Sequence, residues 1–579
     1  MSPIPLPSAT DLQVDFPFDY AAHVGDGRRM GRLPEEIRGA RVAIVGAGGS
    51  GLAAAYELLR AGCHPVLYEA EQSTDGPGGR RLGGRMYSRR LREEDSAVVE
   101  LGCMRFPDSA TLLRQYARTF GVRMEPFRDN YAAPVTPLTV LDVDGVQYPA
   151  AKIQDLYDRH DDFREVHTHW QRVLARIGLP QILRDLAARD LVAARRRWNQ
   201  LLIQFESWSF YRFLREPDGA GLTHDQARLL GTAGVGPAVW DSFFEISVIE
   251  ILRLLLCTEG SDTLYAPDGI SRLAEGFWTR PVVDPRGRTR SLEEASEGAP
   301  RPAVRLLEVE PDAARGVVVH DADGREERFA AVVFTPQLRL LETGVEVRST
   351  DPRVPVFGPR LWRAIRRLSY WQSAKTALVV EHPFWEATTM DGVTLTDRLP
   401  RAAYTMDYGP ARGPGGRRGV LDLSFSWAQD ALKVAPSDLE ERVALFVRDL
   451  AEIHPSLADE LRAQVRTGEA VTVSWENEKN FRGLCRWSCP GDYPYQRDLF
   501  AHFLKDFTGS PAIPGEPPNA LYLAGDDTSW SPGWLDHALA SGLNAAWGVL
   551  HQLGARPEPG NPGPGDVWSD PRYTPLTAP

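Results

Sequence analysis

Three glycines, Gly46, Gly48 and Gly51, followed eighteen residues after the last of them by Glu69, have the spacing of a phosphate cradle. Gly46 permits a sharp turn, Gly48 lets the backbone approach a pyrophosphate, and Gly51 lets a helix pack closely on the strand before it. A carboxylate at Glu69 can accept hydrogen bonds from a ribose 2′-hydroxyl. These roles need elements to position them. Residues Arg41 to Val45 form a short β-branched run suited to a buried parallel strand. Ala53, Ala54 and Ala55 keep the following helix slim, and a second strand closes at Glu69. The first N–H groups of that helix lack intrahelical partners and would face the phosphates, with the positive end of the helix dipole behind them. A glycine turn alone is weak, and an empty structural βαβ unit is the competing reading. Strand, turn, helix, strand and terminal acid together point to a bound adenine dinucleotide, NAD and FAD being equally compatible with Glu69.

A second glycine pair with an arginine, Gly83-Gly84-Arg85, comes next, and then Glu100-Leu101-Gly102-Cys103-Met104-Arg105-Phe106-Pro107. On these motifs the chain resembles the flavin amine oxidase superfamily, and more narrowly the L-amino acid oxidases and the bacterial 2-monooxygenases of tryptophan, phenylalanine and lysine. The resemblance implies FAD, with Gly83, Gly84 and Arg85 at its pyrophosphate, Met104 and Arg105 at the flavin, and Arg105 gripping a substrate carboxylate. Guanidinium chemistry agrees, since its planar donor fork matches a carboxylate in two hydrogen bonds. A single arginine is more often a surface group, and the surrounding motif reverses that weighting. An insert from Gln72 to Arg81 carries its own Gly78-Gly79-Arg80. Two motifs therefore compete for the phosphates, and the second is preferred for the Ser88 that follows it.

The expected fold is α/β: a discontinuous Rossmann-like FAD-binding domain with a mixed-sheet substrate domain and a helical lobe, the arrangement of amine oxidases and glutathione reductase-like proteins. An arm over 1–38 precedes the FAD-binding domain at 39–108, 262–340 and 515–556. A helical lobe is placed at 109–261, a substrate-binding domain at 341–514 and a tail at 557–579. The chain has 579 residues, 43% hydrophobic and 25% charged, which suits a large globular core. A net charge of −12 argues against nucleic acid or an anionic membrane as partner. The five cysteines have no metal-ligand spacing and form no even disulfide framework. No apolar span of about 18 residues and no signal-peptide core is present, so a cytoplasmic protein is expected, a homodimer being compatible with it.

Along the chain, Ser109 could cap a helix through Phe120 with Gly121 as its stop, and the periodicity from about 155 to 257 is helical. The last helix of that stretch is expected from Pro237 through Trp240 and Phe243 to Leu256. Asp268-Gly269 marks a turn before a helix, and Asp323-Gly324 a hairpin. By the resemblance, the backbone of Val304 meets adenine, and Lys375, in a β-branched strand ahead of Pro383-Phe384-Trp385, holds a water near the flavin. Tyr404 would offer a phenol to the substrate carboxylate, and Trp427, ending an alternating strand, would wall the pocket. The tripeptide Gly483-Leu484-Cys485 puts a small thiol where relatives carry a pocket aromatic. Gly525-Asp526 then supplies an acid for the ribityl chain, Gly533-Trp534 an indole beside the flavin ring, and a helix over 539–550 its positive end. Taken alone, most of these residues would pass as ordinary core.

What the resemblance implies is hydride transfer from the Cα of a free L-amino acid, followed by reaction with O2. Release of the imino acid gives a 2-oxo acid, ammonia and hydrogen peroxide, while retention gives the amide by oxidative decarboxylation. Whole-chain resemblance favours the amide. Phe243 stands where lysine-acting relatives place an acid. Glu259 just past the helix and the small Cys485 together suit a longer cation such as arginine. The alternative is an aromatic pocket for tryptophan or phenylalanine, with Glu259 in solvent. A non-catalytic FAD-binding protein, or an oxidase of a carrier-bound amine, would have no need of Arg105.

Overall fold

Arg41–Val45, His64–Tyr68, Ala331–Phe334 and Leu521–Leu523 make a four-stranded parallel sheet drawn from three separated parts of the chain. The computed structural model describes residues 20–25, 28–91, 97–127, 138–150, 153–188, 190–233, 240–258, 263–406, 408, 418–505 and 516–556. Valine, isoleucine and leucine fill these strands because both faces are covered. The helix Gly49–Arg60 packs against the long helix Leu535–Gln552, where a Cβ on Gly542 would lie 2.1 Å from the Ser50 carbonyl oxygen. Among the described residues, no helix is long and apolar enough to cross a membrane.

A side sheet runs Glu326–Phe329, Val317–Asp321, Val304–Val309, Glu346–Ser349. The expected Asp323-Gly324 turn is present, with the Asp321 carboxylate accepting from the Asp323 and Arg325 amides at 3.0 Å each. The β-branched and aromatic run around 328–334 forms the ends of two strands, Glu326–Phe329 and Ala331–Phe334. It breaks at Ala330, whose N–H donates to the Arg41 carbonyl and sends Ala331–Phe334 into the parallel sheet.

The second large sheet has seven strands: Glu469–Ser474, Ser373–Val380, Gly419–Trp427, Ala402–Met406, Gly392–Thr396, Leu138–Val143 and Val146–Ala150. Its last two strands fall in the stretch assigned to helices by sequence. They form a hairpin across Asp144-Gly145, both with positive φ (51° and 77°), and Leu138–Val143 pairs parallel with Gly392–Thr396. This is the Asp-Gly hairpin signal of a primed turn, set inside a helical context.

The helices Asp161–Arg176, Leu179–Ala187, Leu191–Phe205, Phe210–Arg215, His224–Ala233 and Val248–Thr258 form the lobe, around Trp170, Trp198, Phe205 and Phe213. Two expected boundaries move. Ser109 does not cap the helix Thr111–Phe120, because its hydroxyl donates to the Cys257 carbonyl, though Gly121 does end it in the left-handed region. The expected helix into Leu256 divides into a turn at Trp240–Phe243 and a helix from Val248. The Ser247 amide at that break donates to the Ser488 carbonyl at 2.9 Å.

Candidate active site

One cavity of about 420 Å³ runs from the first glycine turn, past the ends of the parallel strands, to the face of the seven-stranded sheet. At its first end stand Gly46, Gly48, Glu69, Gly83, Gly84 and Val304. Gly46 has φ +93°, and a Cβ on Gly51 would meet the Gly46 carbonyl oxygen at 1.9 Å, so the turn and helix are as close as backbones allow. Gly83 bridges to Gly48 as a parallel partner, and a Cβ on Gly84 would sit 3.2 Å from the Gly48 Cα. Gly78 and Gly79, by contrast, lie in a short turn that does not line the cavity. Ser88 is also off the wall, its hydroxyl donating to Glu100 and accepting from the Ser271 amide.

This end fits a dinucleotide on three observations. The helix Gly49–Arg60 starts on the cavity with no side-chain cap, which leaves its N–H groups to an anion. Ser50 Oγ and Gln337 Oε1 are buried on the same wall with no hydrogen-bond partner. The buried Glu69 carboxylate is fixed by the Ala47 and Glu71 amides at 2.8 Å each. A Gly51→Ala variant is expected to lose about 1–3 kcal/mol by overpacking. Thermal melting and the flavin retained on purification would both fall, whereas wild-type values for both would deny the close approach its importance.

Midway, Asp526 accepts from the Gly533 amide at 2.7 Å and the Arg486 amide at 3.3 Å, with the Arg85 guanidinium 3.5 Å away. Gly525, Gly533 and Trp534 also line this part, and the helix Leu535–Gln552 begins here without a side-chain cap. It starts four residues before the expected position, which brings Leu535 to the wall.

At the far end, Met104, Arg105 and Lys375 line the cavity, all buried. The Arg105 guanidinium carbon is 5.1 Å from the ring centroids of both Phe127 and Tyr404, which meet each other edge to face at 5.9 Å, so the guanidinium rests against an aromatic corner. Lys375 Nζ donates to the carbonyls of Glu100 at 3.0 Å and Gly102 at 2.7 Å, and lies 4.8 Å from the Phe425 ring. Burial pushes the Lys375 ammonium down to about 8, against the opposing charges of Asp422, Glu100 and Cys103. Burial likewise raises Asp422 to about 6 and Glu100 to about 7, with Lys375 opposing both. The far end of the cavity therefore rests on a buried cluster in which burial moves the ammonium down and the two carboxyls up.

Above this floor stands an aromatic chamber. Phe243 lies 5.3 Å from Trp487, 5.7 Å from Trp427 and 6.0 Å from Trp371, ring centroid to centroid. Trp240, Phe425 and Cys485 complete the wall. The carboxylates that line the cavity among the described residues are Glu69, Glu71 and Asp526, none of them in this chamber. Glu259 lies outside the described residues.

Tyr404, expected at the substrate carboxylate, is buried with its ring centroid 5.1 Å from the Arg105 guanidinium carbon and stands outside the residues that line the cavity. Three residues escaped sequence reading. Trp487 shares a face with Cys485 two positions earlier, a period-2 signal hidden in an irregular stretch. Asp422 and Glu100 sit in apolar strands, and a charge inside such a strand was the available clue.

A family profile described as flavin containing amine oxidoreductase matches residues 50–550. The tryptophan 2-monooxygenase of Pseudomonas savastanoi is 29% identical, the alignment covering 95% of this chain and 97% of that one. The L-amino-acid oxidase of Mus musculus is 26% identical over 89% of this chain and 71% of its own. Among solved structures, putrescine oxidase bound to putrescine superposes with a TM-score of 0.60 at 18% identity, covering 88% of this chain and 99% of that one. Cyclohexylamine oxidase from Brevibacterium oxydans gives 0.60 at 16% identity, over 89% and 99%. At those identities the two structures speak for the fold alone.

Proposed function

The chain belongs to the flavin containing amine oxidoreductase family, and from that premise we propose an L-amino acid 2-monooxygenase that takes a free aromatic amino acid, tryptophan foremost, and O2 to the amide, carbon dioxide and water. The protein is an FAD-dependent oxidoreductase. What carries the substrate reading is the aromatic chamber of Phe243, Trp427 and Trp487 together with the buried Arg105 packed against Phe127 and Tyr404. The amide outcome draws its support from full-length similarity to a tryptophan 2-monooxygenase.

In this reading Gly46, Gly48, Gly51, Glu69, Gly83, Gly84, Arg85, Val304, Gly525, Asp526 and Gly533 hold the FAD, with the pyrophosphate at the second glycine pair. When bound, FAD supplies the acceptor for the Cα hydride and passes the electrons on to oxygen. Arg105 takes the substrate carboxylate in its fork, which fixes Cα while the side chain enters the chamber. Trp534 closes one side of the reacting centre and Cys485 leaves width for an indole. Lys375 has three donors, two already given to carbonyls, and keeps the third for the reaction end. Its positive charge there favours the negative charge that develops as oxygen is reduced.

Arginine, favoured by the Glu259 argument, is set behind the aromatic reading by the full-length similarity to a tryptophan 2-monooxygenase. An L-amino acid oxidase is the second reading of the outcome, kept by the similarity to the mouse enzyme. The substrate test is anaerobic bleaching of the bound flavin by tryptophan, phenylalanine, arginine and lysine in turn. Fastest bleaching by an aromatic substrate is expected, and fastest bleaching by arginine would overturn the assignment. Phe243→Ala should lower kcat/KM for tryptophan roughly 30-fold, about 2 kcal/mol for one buried aromatic contact. An unchanged value would remove Phe243 from the pocket.

A further inference from the structure

One strip of backbone, Leu484 to Ser488, touches both halves of the cavity. The Leu484 carbonyl accepts from the Arg85 guanidinium, and the Arg486 amide donates to Asp526 at 3.3 Å. Between and beyond them, Cys485 and Trp487 turn to the chamber. A shift of this strip would move the acid at the cofactor and the wall at the substrate together.

Its own pairing is slight. Cys485–Arg486 meets Tyr370–Trp371 in a ladder of two residues, flanked by backbone bonds from the Leu484 amide to the Trp371 carbonyl at 2.8 Å and from the Trp487 amide to the Ser369 carbonyl at 3.1 Å. The Arg486 side chain, which points away from the cavity, ties this short ladder to the lobe. Its guanidinium donates to Glu250 at 2.9 Å, to Ser488 Oγ at 2.6 Å and to the Ser529 carbonyl at 3.2 Å. Glu250 and Arg486 are 0% and 1% exposed. Glu250 lies on the lobe helix Val248–Thr258, one turn before Leu254 on the cavity wall, and its other oxygen is 3.5 Å from Arg253. A buried ion pair is a poor source of stability, because desolvation offsets the attraction, so its value here is the geometry it imposes.

We propose that Arg486, locked by Glu250, is a positioning residue that sets the Leu484–Ser488 strip and through it both the aromatic substrate wall and the Asp526 carboxylate. The inference rests on the reading of the cavity as an FAD and amino acid site.

The test compares holoenzymes carrying Arg486→Lys, Glu250→Gln and the apolar pair Glu250→Leu/Arg486→Met. Melting temperature, FAD dissociation constant, the visible flavin spectrum and KM and kcat for tryptophan are read on each. Glu250→Gln leaves the buried Arg486 charge without its carboxylate and Arg486→Lys loses the fork, so each should melt lower. The apolar pair should regain most of the melting temperature while FAD dissociation and KM both stay about tenfold above wild type and the flavin spectrum stays altered. Recovery of affinity, spectrum and KM along with stability would overturn the proposal. If the apolar pair does not fold, Arg486→Lys decides: it keeps the charge and loses the fork, so FAD dissociation and KM should rise together, and wild-type values for both would refute the assignment. Should wild type fail to turn over tryptophan, the substrate reading fails, while FAD affinity and the spectrum still judge the positioning role.

Discussion

Arg105→Met is expected to lower kcat/KM for an aromatic amino acid by roughly 10³-fold, about 4 kcal/mol, which is the usual cost of removing one partner of a desolvated charge pair. Methionine fills much of the space beside the Phe127 and Tyr404 rings, so the fold should hold and the loss should fall on recognition. Arg105→Lys restores a charge but not a planar fork, and should recover only a small part of the activity. A control separates recognition from damage. An amine that lacks the carboxylate, such as tryptamine, should react no worse with the Arg105→Met variant than with wild type. Equal losses on tryptophan and tryptamine would show that Arg105 is structural.

Lys375→Met should leave anaerobic reduction by substrate near wild type and slow the oxygen-dependent half of turnover by roughly 10²-fold, the scale of one lost electrostatic contact to developing charge. The pH dependence gives this a sign. The ammonium persists below about 8 and is lost above it, so the rate of reaction with oxygen should be high below that pH and fall through it. The groups facing Lys375 are Glu100, Asp422, Cys103 and Arg105. Asp422→Asn removes a charge that holds the proton on, so the fall should move to lower pH by roughly one unit. Lys375→Met should be slow and flat over the same range. A wild-type oxygen rate that ignores pH from about 6 to about 10, a range that runs from below the perturbed Lys375 value to the ordinary lysine value, would dissociate Lys375 from the oxygen step.

What could be read in the sequence is what is local. The turn from Gly46 to Gly51 writes part of its own geometry, since Gly51 answers the Gly46 carbonyl and Gly46 takes a φ of +93°, whereas Gly48 answers Gly83 and Gly84, which the structure sets beside it at one cavity. Long-range placements were harder. The strand Gly419–Trp427 alternates in sequence, but a bulge opposite Thr376 and Ala377 shifts its register. Val420 and Phe425 then share the face of Tyr404, while Leu421 and Leu423 turn to the other. Asp422 reaches Lys375 through that shift, which periodicity cannot reveal. The strand of Tyr404 is legible in its alternation, whereas the packing of its ring on Arg105 joins parts of the chain roughly 300 residues apart. The hairpin over 138–150 was missed because its partner, Gly392–Thr396, lies some 250 residues on.

The most direct measurement is a mass spectrum of the products after aerobic incubation of the holoenzyme with L-tryptophan, together with an assay for free hydrogen peroxide. The account predicts an amide lacking the carboxyl carbon, carbon dioxide, and peroxide well below one equivalent. A 2-oxo acid with stoichiometric ammonia and peroxide would contradict it and make the protein an oxidase.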